Sequence, residues 1–242
     1  PGDMPGDQRT DAGGALVLRS ARLDGPMDIL GQPKLELALS TDRPQGFVAA
    51  ILADEAPDGA QSVISRGFAN LTHRVSAETP APVVPGQEMA ITVKLHGMAW
   101  QVPAGHRLVL HLASTYWPIL WPSPEPVTLG LRPGLSRLEI PVLGARAGAR
   151  APRRLAPPPP AAPGRTTQLS QGSIARDITT DLITGTVRNR MFIDGGVFGP
   201  IGKIRFDAIG TEFHDVSERI YEIHPDDPLS AKATMTQSRT IE

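Results

Sequence analysis

Hydrolysis at a side chain needs a nucleophile, a base within hydrogen-bond reach and donors for the oxyanion. Among the 242 residues a Ser and a His stand usefully close at His111 and Ser114. They lie three apart in Arg107-Leu-Val-Leu-His-Leu-Ala-Ser-Thr, an apolar run that reads as a strand. Residues at that spacing face opposite sides of the pleat and make no nucleophile–base pair. The Gly-x-Ser-x-Gly elbow that exposes a hydrolase serine at a strand-to-helix turn does not occur. Cysteine is absent, which removes thiolate nucleophiles, disulfides and Cys-ligated metals. It leaves the compartment open, with the cytoplasm as the default expectation. The site expected from the sequence therefore contains no catalytic residue.

Metal and acid–base chemistry fare no better. His73, His96, His106, His111, His214 and His224 show neither the i, i+4 pair of a helix nor the i, i+2 pair of a strand, so no metal or other cofactor is expected. His106, after Pro103-Ala-Gly, reads as a turn-fixing hydrogen-bond residue, and Asp54, Glu55 and Asp58 lack the spaced ligands of a calcium loop and read as a solvated turn. Asp226 and Asp227, flanked by Pro225 and Pro228, are turn residues before they are a carboxylate pair.

The aromatic residues carry more information. Four of the eleven lie within Trp100 to Trp121, and Tyr116, Trp117 and Trp121, broken by Pro118 and Pro122, cannot all continue one pleat. They are expected to form a loop whose rings serve as a sugar-stacking platform, a substrate-pocket wall, an inter-domain seam or an aromatic cap on the core. Trp100 reads as a core residue.

The elements that must position these residues are strands. Leu16-Val-Leu-Arg-Ser, Leu35 to Thr41 with Leu35, Leu37 and Leu39 on one face, and Phe47 to Asp54 come first, and Asp58-Gly59 closes a hairpin onto Ser62 to Leu71. Glu88 to Leu95, Arg107 to Thr115 and Arg137 to Val142, with Leu138, Ile140 and Val142 inward, complete seven or eight strands in about 145 residues. Gly and Pro, 24 and 25 of them, punctuate these runs. The fold expected is an all-β jelly-roll, galactose-binding-like β-sandwich over 1–145, an Ala/Arg/Pro-rich linker over 146–168 with a polyproline spacer at Pro157 to Pro160, and an additional antiparallel β unit over 169–242. In that unit Ser173 to Thr180 and Gly185 to Ile193 read as a hairpin, Ile204-Arg-Phe and Ser217 to Ile223 as strands, and Ala231 to Ile241 as a last strand that ends without a partner, which fits either a unit truncated at its C-terminal end or edge pairing with another element.

A formal charge of −1 gives no global reason to expect nucleic acid or an anionic membrane as partner, and the basic stretch Arg146 to Arg154 reads as solvated linker. No window approaches the length of apolar sequence that spans a bilayer, and Pro1-Gly-Asp-Met-Pro-Gly-Asp lacks the regions of a signal peptide. The chain, opening without an initiator Met, is expected to be a piece of a longer protein.

Several segments together resemble the C-terminal domain of the cocaine-esterase/X-Pro dipeptidyl-peptidase hydrolases. Leu18-Arg-Ser-Ala-Arg-Leu with Met27-Asp-Ile-Leu-Gly-Gln-Pro is similar to the family's first strand and the turn into its first sheet. Leu39-Ser-Thr-Asp-Arg-Pro and Leu52-Ala-Asp-Glu-Ala-Pro-Asp-Gly resemble its next hairpin. Val84-Pro-Gly-Gln-Glu, Val102-Pro-Ala-Gly-His-Arg-Leu and Ser114-Thr-Tyr-Trp-Pro follow in the family's order and spacing and are the specific ones. Asp181-Leu-Ile-Thr-Gly and His224-Pro-Asp-Asp-Pro-Leu-Ser-Ala resemble an extension of some longer members. The resemblance implies a parent enzyme with an N-terminal α/β-hydrolase domain bearing a Ser-His-Asp triad and a helical cap, acting on ester or amide substrates. This chain would be its non-catalytic tail and those two domains its partners, with self-association once they are missing. A carbohydrate-binding β-sandwich is the competing expectation.

Overall fold

Alternating leucines decide the architecture. In the computed structural model, which describes residues 7–144, 164–195 and 199–242, Leu35, Leu37 and Leu39 of β3 (Lys34–Thr41) all point into one apolar core. They meet Val48, Ala50 and Leu52 of β4 (Phe47–Glu55) and Leu108, Leu110 and Leu112 of β8 (Arg107–Ala113). Each fully buried leucine contributes about 2 kcal/mol of transfer free energy. Two antiparallel sheets sandwich this core. One has the order β1 (Leu16–Arg19), β8, β4, β5 (Gln61–Asn70), and the other β10 (Arg137–Glu139), β3, β6 (Met89–Lys94), with β9 (Leu129–Leu131) on the far end of β3.

The β4–β5 hairpin turns where the sequence predicts it. Gly59 adopts φ +89°, and the Asp58 side chain accepts the Ala60 N–H at 3.0 Å. A second glycine has a different reason. At Gly67 a Cβ would lie 2.6 Å from the Lys94 carbonyl oxygen, so β5 passes the end of β6 backbone against backbone.

Among the described residues 7–144 ten strands form where seven or eight were expected. The main addition is a two-stranded sheet of β2 (Met27–Gly31) and β7 (Met98–Val102), whose short, poorly alternating runs are stabilised by pairing with each other rather than by local pattern. It corrects the reading of Trp100 as core. Ile29 and Val102 take the buried positions, and Trp100 is 40% exposed. Val142 also leaves the expected alternation, bridging Ile29 while 54% exposed, whereas Leu138 and Ile140 do pack on the core.

The chain divides into two compact units at Ala145/Arg146. The second is an antiparallel sheet of β11 (Thr166–Gln168), β14 (Ile204–Phe206), β15 (Thr211–His224), β13 (Val187–Asp194) and β12 (Ile174–Thr180), and β16 (Asp227–Ile241) pairs with β15. β12 and β13 form the expected hairpin. The last strand, for which edge pairing with another element was one of two expectations, pairs β15 from His224↔Asp227 to Phe213↔Ile241, because the Pro225–Asp226 turn folds it straight back. Beneath it Asp215, fully buried, accepts from Gln237 and from Arg239 at 2.8 Å. Pro157 to Pro160, the expected spacer, lie outside the described residues.

Candidate functional site

β4 is buried on both faces, and its second face positions the polar chemistry of the sandwich. Ala49, Ile51 and Ala53 line that face beside His111 of β8, and it is covered by the segment Gln8–Ala15, with the short helix α1 (Arg9–Ala12), and by the aromatic loop after β8. The loop is built tightly. Leu120 N–H donates to the Tyr116 carbonyl at 2.8 Å, and the Trp117–Pro118 peptide is cis. Trp117 and Trp121 meet edge to face, centroids 5.0 Å apart and planes at 76°, while Tyr116 turns away to pack on Phe68 at 6.1 Å. Three rings so disposed share no plane, and the arrangement lacks the flat surface that sugar stacking uses. Trp121 is 55% exposed and Trp117 half-buried.

The Tyr116 hydroxyl ties this loop to the start of the unit. It donates to Asp11 Oδ2 at 3.1 Å and accepts from Gln8 Nε2 at 3.4 Å. Burial pushes the phenol up to about 12, with the Asp11 charge acting in the same direction.

Asp54 and Glu55 are not the solvated turn that the sequence suggested. Both are buried, because β4 continues through them before the hairpin, and as consecutive strand residues they face opposite sides. Asp54 accepts from Trp100 Nε1 at 3.0 Å and from His106 Nδ1 at 2.8 Å, so the His106 side chain reaches a carboxylate and not its own turn. Glu55 accepts from Gln61 at 2.7 Å, Arg107 Nε at 2.6 Å and Arg19 at 3.2 Å. Burial pushes the Glu55 carboxyl up, but the hydrogen bonds from Gln61, Arg107 and Arg19 outweigh it and hold the group below its ordinary value. Asp58 alone of the three is exposed. Residue type gave no signal for this cluster; the signal was positional, two carboxylates ending an apolar strand whose neighbour places Arg107 opposite Glu55.

His111 and Ser114 line separate cavities, His111 the one under the aromatic loop and Ser114 one between the sheets, so no nucleophile–base pair forms. No group of three or more His, Asp or Glu among the described residues is arranged to hold a metal ion, and none of their helices is long and apolar enough to cross a membrane. Asp226 sits in the β15–β16 turn, and Asp227 Oδ1 accepts the Leu229 N–H at 3.0 Å.

The profile of the X-Pro dipeptidyl-peptidase C-terminal non-catalytic domain matches residues 4–171. The chain belongs to this family. A putative Xaa-Pro dipeptidyl-peptidase of Streptomyces avermitilis is 35% identical to this X-Pro dipeptidyl-peptidase C-terminal domain over 86 residues, 36% of the chain and 13% of that protein. The fold is similar to two solved structures, each with a TM-score of 0.53 over 57% of this chain and 27% of the other. One is an aminopeptidase from a marine-sediment Thaumarchaeota archaeon, 21% identical, and the other an α-amino acid ester hydrolase, 23% identical. The domain thus spans a small part of each relative's length. The Tyr116-Trp117-Pro118 segment and the buried Asp54–Glu55 step both fall inside the matched region.

Proposed function

We propose that this domain serves as the scaffold of a longer α/β-hydrolase-type serine esterase or peptidase, and that its Tyr116–Trp121 loop borders that enzyme's substrate cleft or domain seam. Its partners in this reading are an N-terminal hydrolase domain and its cap, and the 169–242 unit is a further β module beyond a linker. The observation that carries the reading is the exposed indole of Trp121, braced edge-on by Trp117 in a loop hydrogen-bonded across its own base. Holding a large apolar ring in water on a fixed loop suits a surface that another body covers. The separation of His111 from Ser114 leaves hydrolysis to residues outside the sandwich.

The test exposes the chain to a serine-reactive fluorophosphonate and to a chromogenic ester. The expected outcome is no covalent label and no turnover above buffer. A stoichiometric label on this chain would overturn the scaffold reading.

A further inference from the structure

The cavity under the aromatic loop, about 220 Å³, is lined by two side chains that each leave a buried polar atom unpaired, Gln8 Oε1 and His111 Nδ1. Gln8 is 1% exposed and His111 2%. The surrounding hydrogen bonds fix what each atom is. Gln61 Nε2 is committed to the Glu55 carboxylate, which only accepts, so Gln61 turns its Oε1 to His111 Nε2 at 2.9 Å, and that nitrogen carries the hydrogen. Burial first, and the Arg19 charge second, hold the imidazole below its ordinary pKa and hence neutral, leaving Nδ1 a bare lone pair. Gln8 Nε2 faces Asp11 Oδ2 at 3.3 Å and the Tyr116 oxygen, which fixes Oε1 as the unpaired acceptor.

Donors are already spent around the same space. The Tyr116 proton goes to Asp11, and the N–H groups of Gly14 and Ala15 are bonded to the Asp11 and Ala12 carbonyls at 3.2 Å. Ala49, Ile51 and Ala113 supply an apolar floor. The Thr115 hydroxyl can serve in either role. Gln8 Oε1 and His111 Nδ1 thus stand without a hydrogen-bond donor, and buried acceptors left without one are costly.

We propose that this cavity binds the primary ammonium group of a small alkylamine, its three N–H donors directed at Gln8 Oε1, His111 Nδ1 and the Asp11 carboxylate, with the Tyr116 and Trp117 rings as walls. An ammonium is the simplest group with three donors and no acceptor, and aromatic faces favour a cation beside them. Asp11 and Glu55 act on His111 as negative charges, Arg19 as a positive one paired to Glu55, and Arg66 acts on the Tyr116 hydroxyl. All of these lining residues lie within the sandwich.

The full chain, labelled with ¹⁵N, is titrated with n-propylammonium chloride, and in parallel with n-propanol and sodium propionate at constant ionic strength. Saturable shifts confined to residues 8–15, 49–51 and 111–117 are expected with the ammonium alone. Asp11→Asn and Gln8→Met should each weaken binding about tenfold, as expected for losing one hydrogen bond to a charged group. Their spectra outside these residues should match the parent chain, which separates lost binding from lost fold. Binding should also weaken as acid protonates His111 and turns Nδ1 into a donor. An equal saturable response to propanol, the absence of any saturable shift, or undiminished binding by a folded Asp11→Asn chain would each overturn the proposal.

Discussion

Replacing Glu55 by Gln keeps its shape and removes its charge, and the structure sets the size of the effect. The carboxylate, 3% exposed, accepts from Arg107 Nε at 2.6 Å, Gln61 at 2.7 Å and Arg19 at 3.2 Å. Buried hydrogen bonds to a charged group contribute about 1.5–3 kcal/mol each. The arginine side chains are 29% and 40% exposed, so water takes over part of their pairing in the variant, and the Arg19 contact is long. With that discount Glu55→Gln should cost about 2 kcal/mol and Glu55→Ala about 3 kcal/mol. All three tryptophans, Trp100, Trp117 and Trp121, lie in the first unit, so intrinsic fluorescence in urea reports this unit. At a slope of about 2 kcal/mol per molar, the Glu55→Gln midpoint should fall by about 1 M. Because the folded carboxyl titrates below its ordinary value, its contribution is complete above that value and is lost as pH falls through the lower one. The gap between the two proteins should then be constant near neutrality and close in acid, below about pH 4. A midpoint change under about 0.2 M at neutral pH, or a gap that persists in strong acid, would refute the account of Glu55 as a paired buried charge.

Gly67→Ala should lower the same fluorescence midpoint by about 1 M, equivalent to about 2 kcal/mol, since backbone and not a mobile side chain blocks the added methyl. Asp215→Asn should cost about 1–2 kcal/mol in the second unit, discounted because Arg239 is half-exposed, and should appear in far-ultraviolet circular dichroism while the tryptophan transition stays in place. Leu16 and Leu18 are exposed on the edge strand β1, beside leucine-walled cavities of about 350 and 290 Å³. Light scattering on the isolated chain should therefore show concentration-dependent self-association that Leu18→Lys reverses, and a clean monomer at high concentration would count against it.

Local pattern was enough wherever a strand has one wet face. Leu35, Leu37 and Leu39 announce β3 because the period of two is a local consequence of the pleat, and Asp58-Gly59 announces its turn because positive φ selects glycine. It failed where the decisive partner lies far along the chain. β2 and β7 become strands only by meeting each other, across about seventy residues. Asp54 and Glu55 misled for the same reason. A carboxylate near a Gly turn reads as solvated until the register sets Arg107 opposite Glu55 and brings His106 and Trp100 to Asp54.

The aromatic loop shows both cases in one place. Tyr116, Trp117 and Trp121 are conspicuous by type, yet the residues that give Tyr116 its role, Gln8 and Asp11, stand more than a hundred positions earlier in a segment with no pattern of its own. Only the outer face of β4, apolar at Ala49 and Ile51 where most outer faces are polar, implies that something must cover it. What covers it is an opening segment and a loop that both bring polar groups, so a cavity with unpaired acceptors forms on a domain whose sequence contains no catalytic set. The absence of a triad thus constrains hydrolysis and nothing more. Binding chemistry follows from how a doubly buried strand is covered, and in this chain the covering elements are Gln8–Ala15 and the loop that begins at Tyr116.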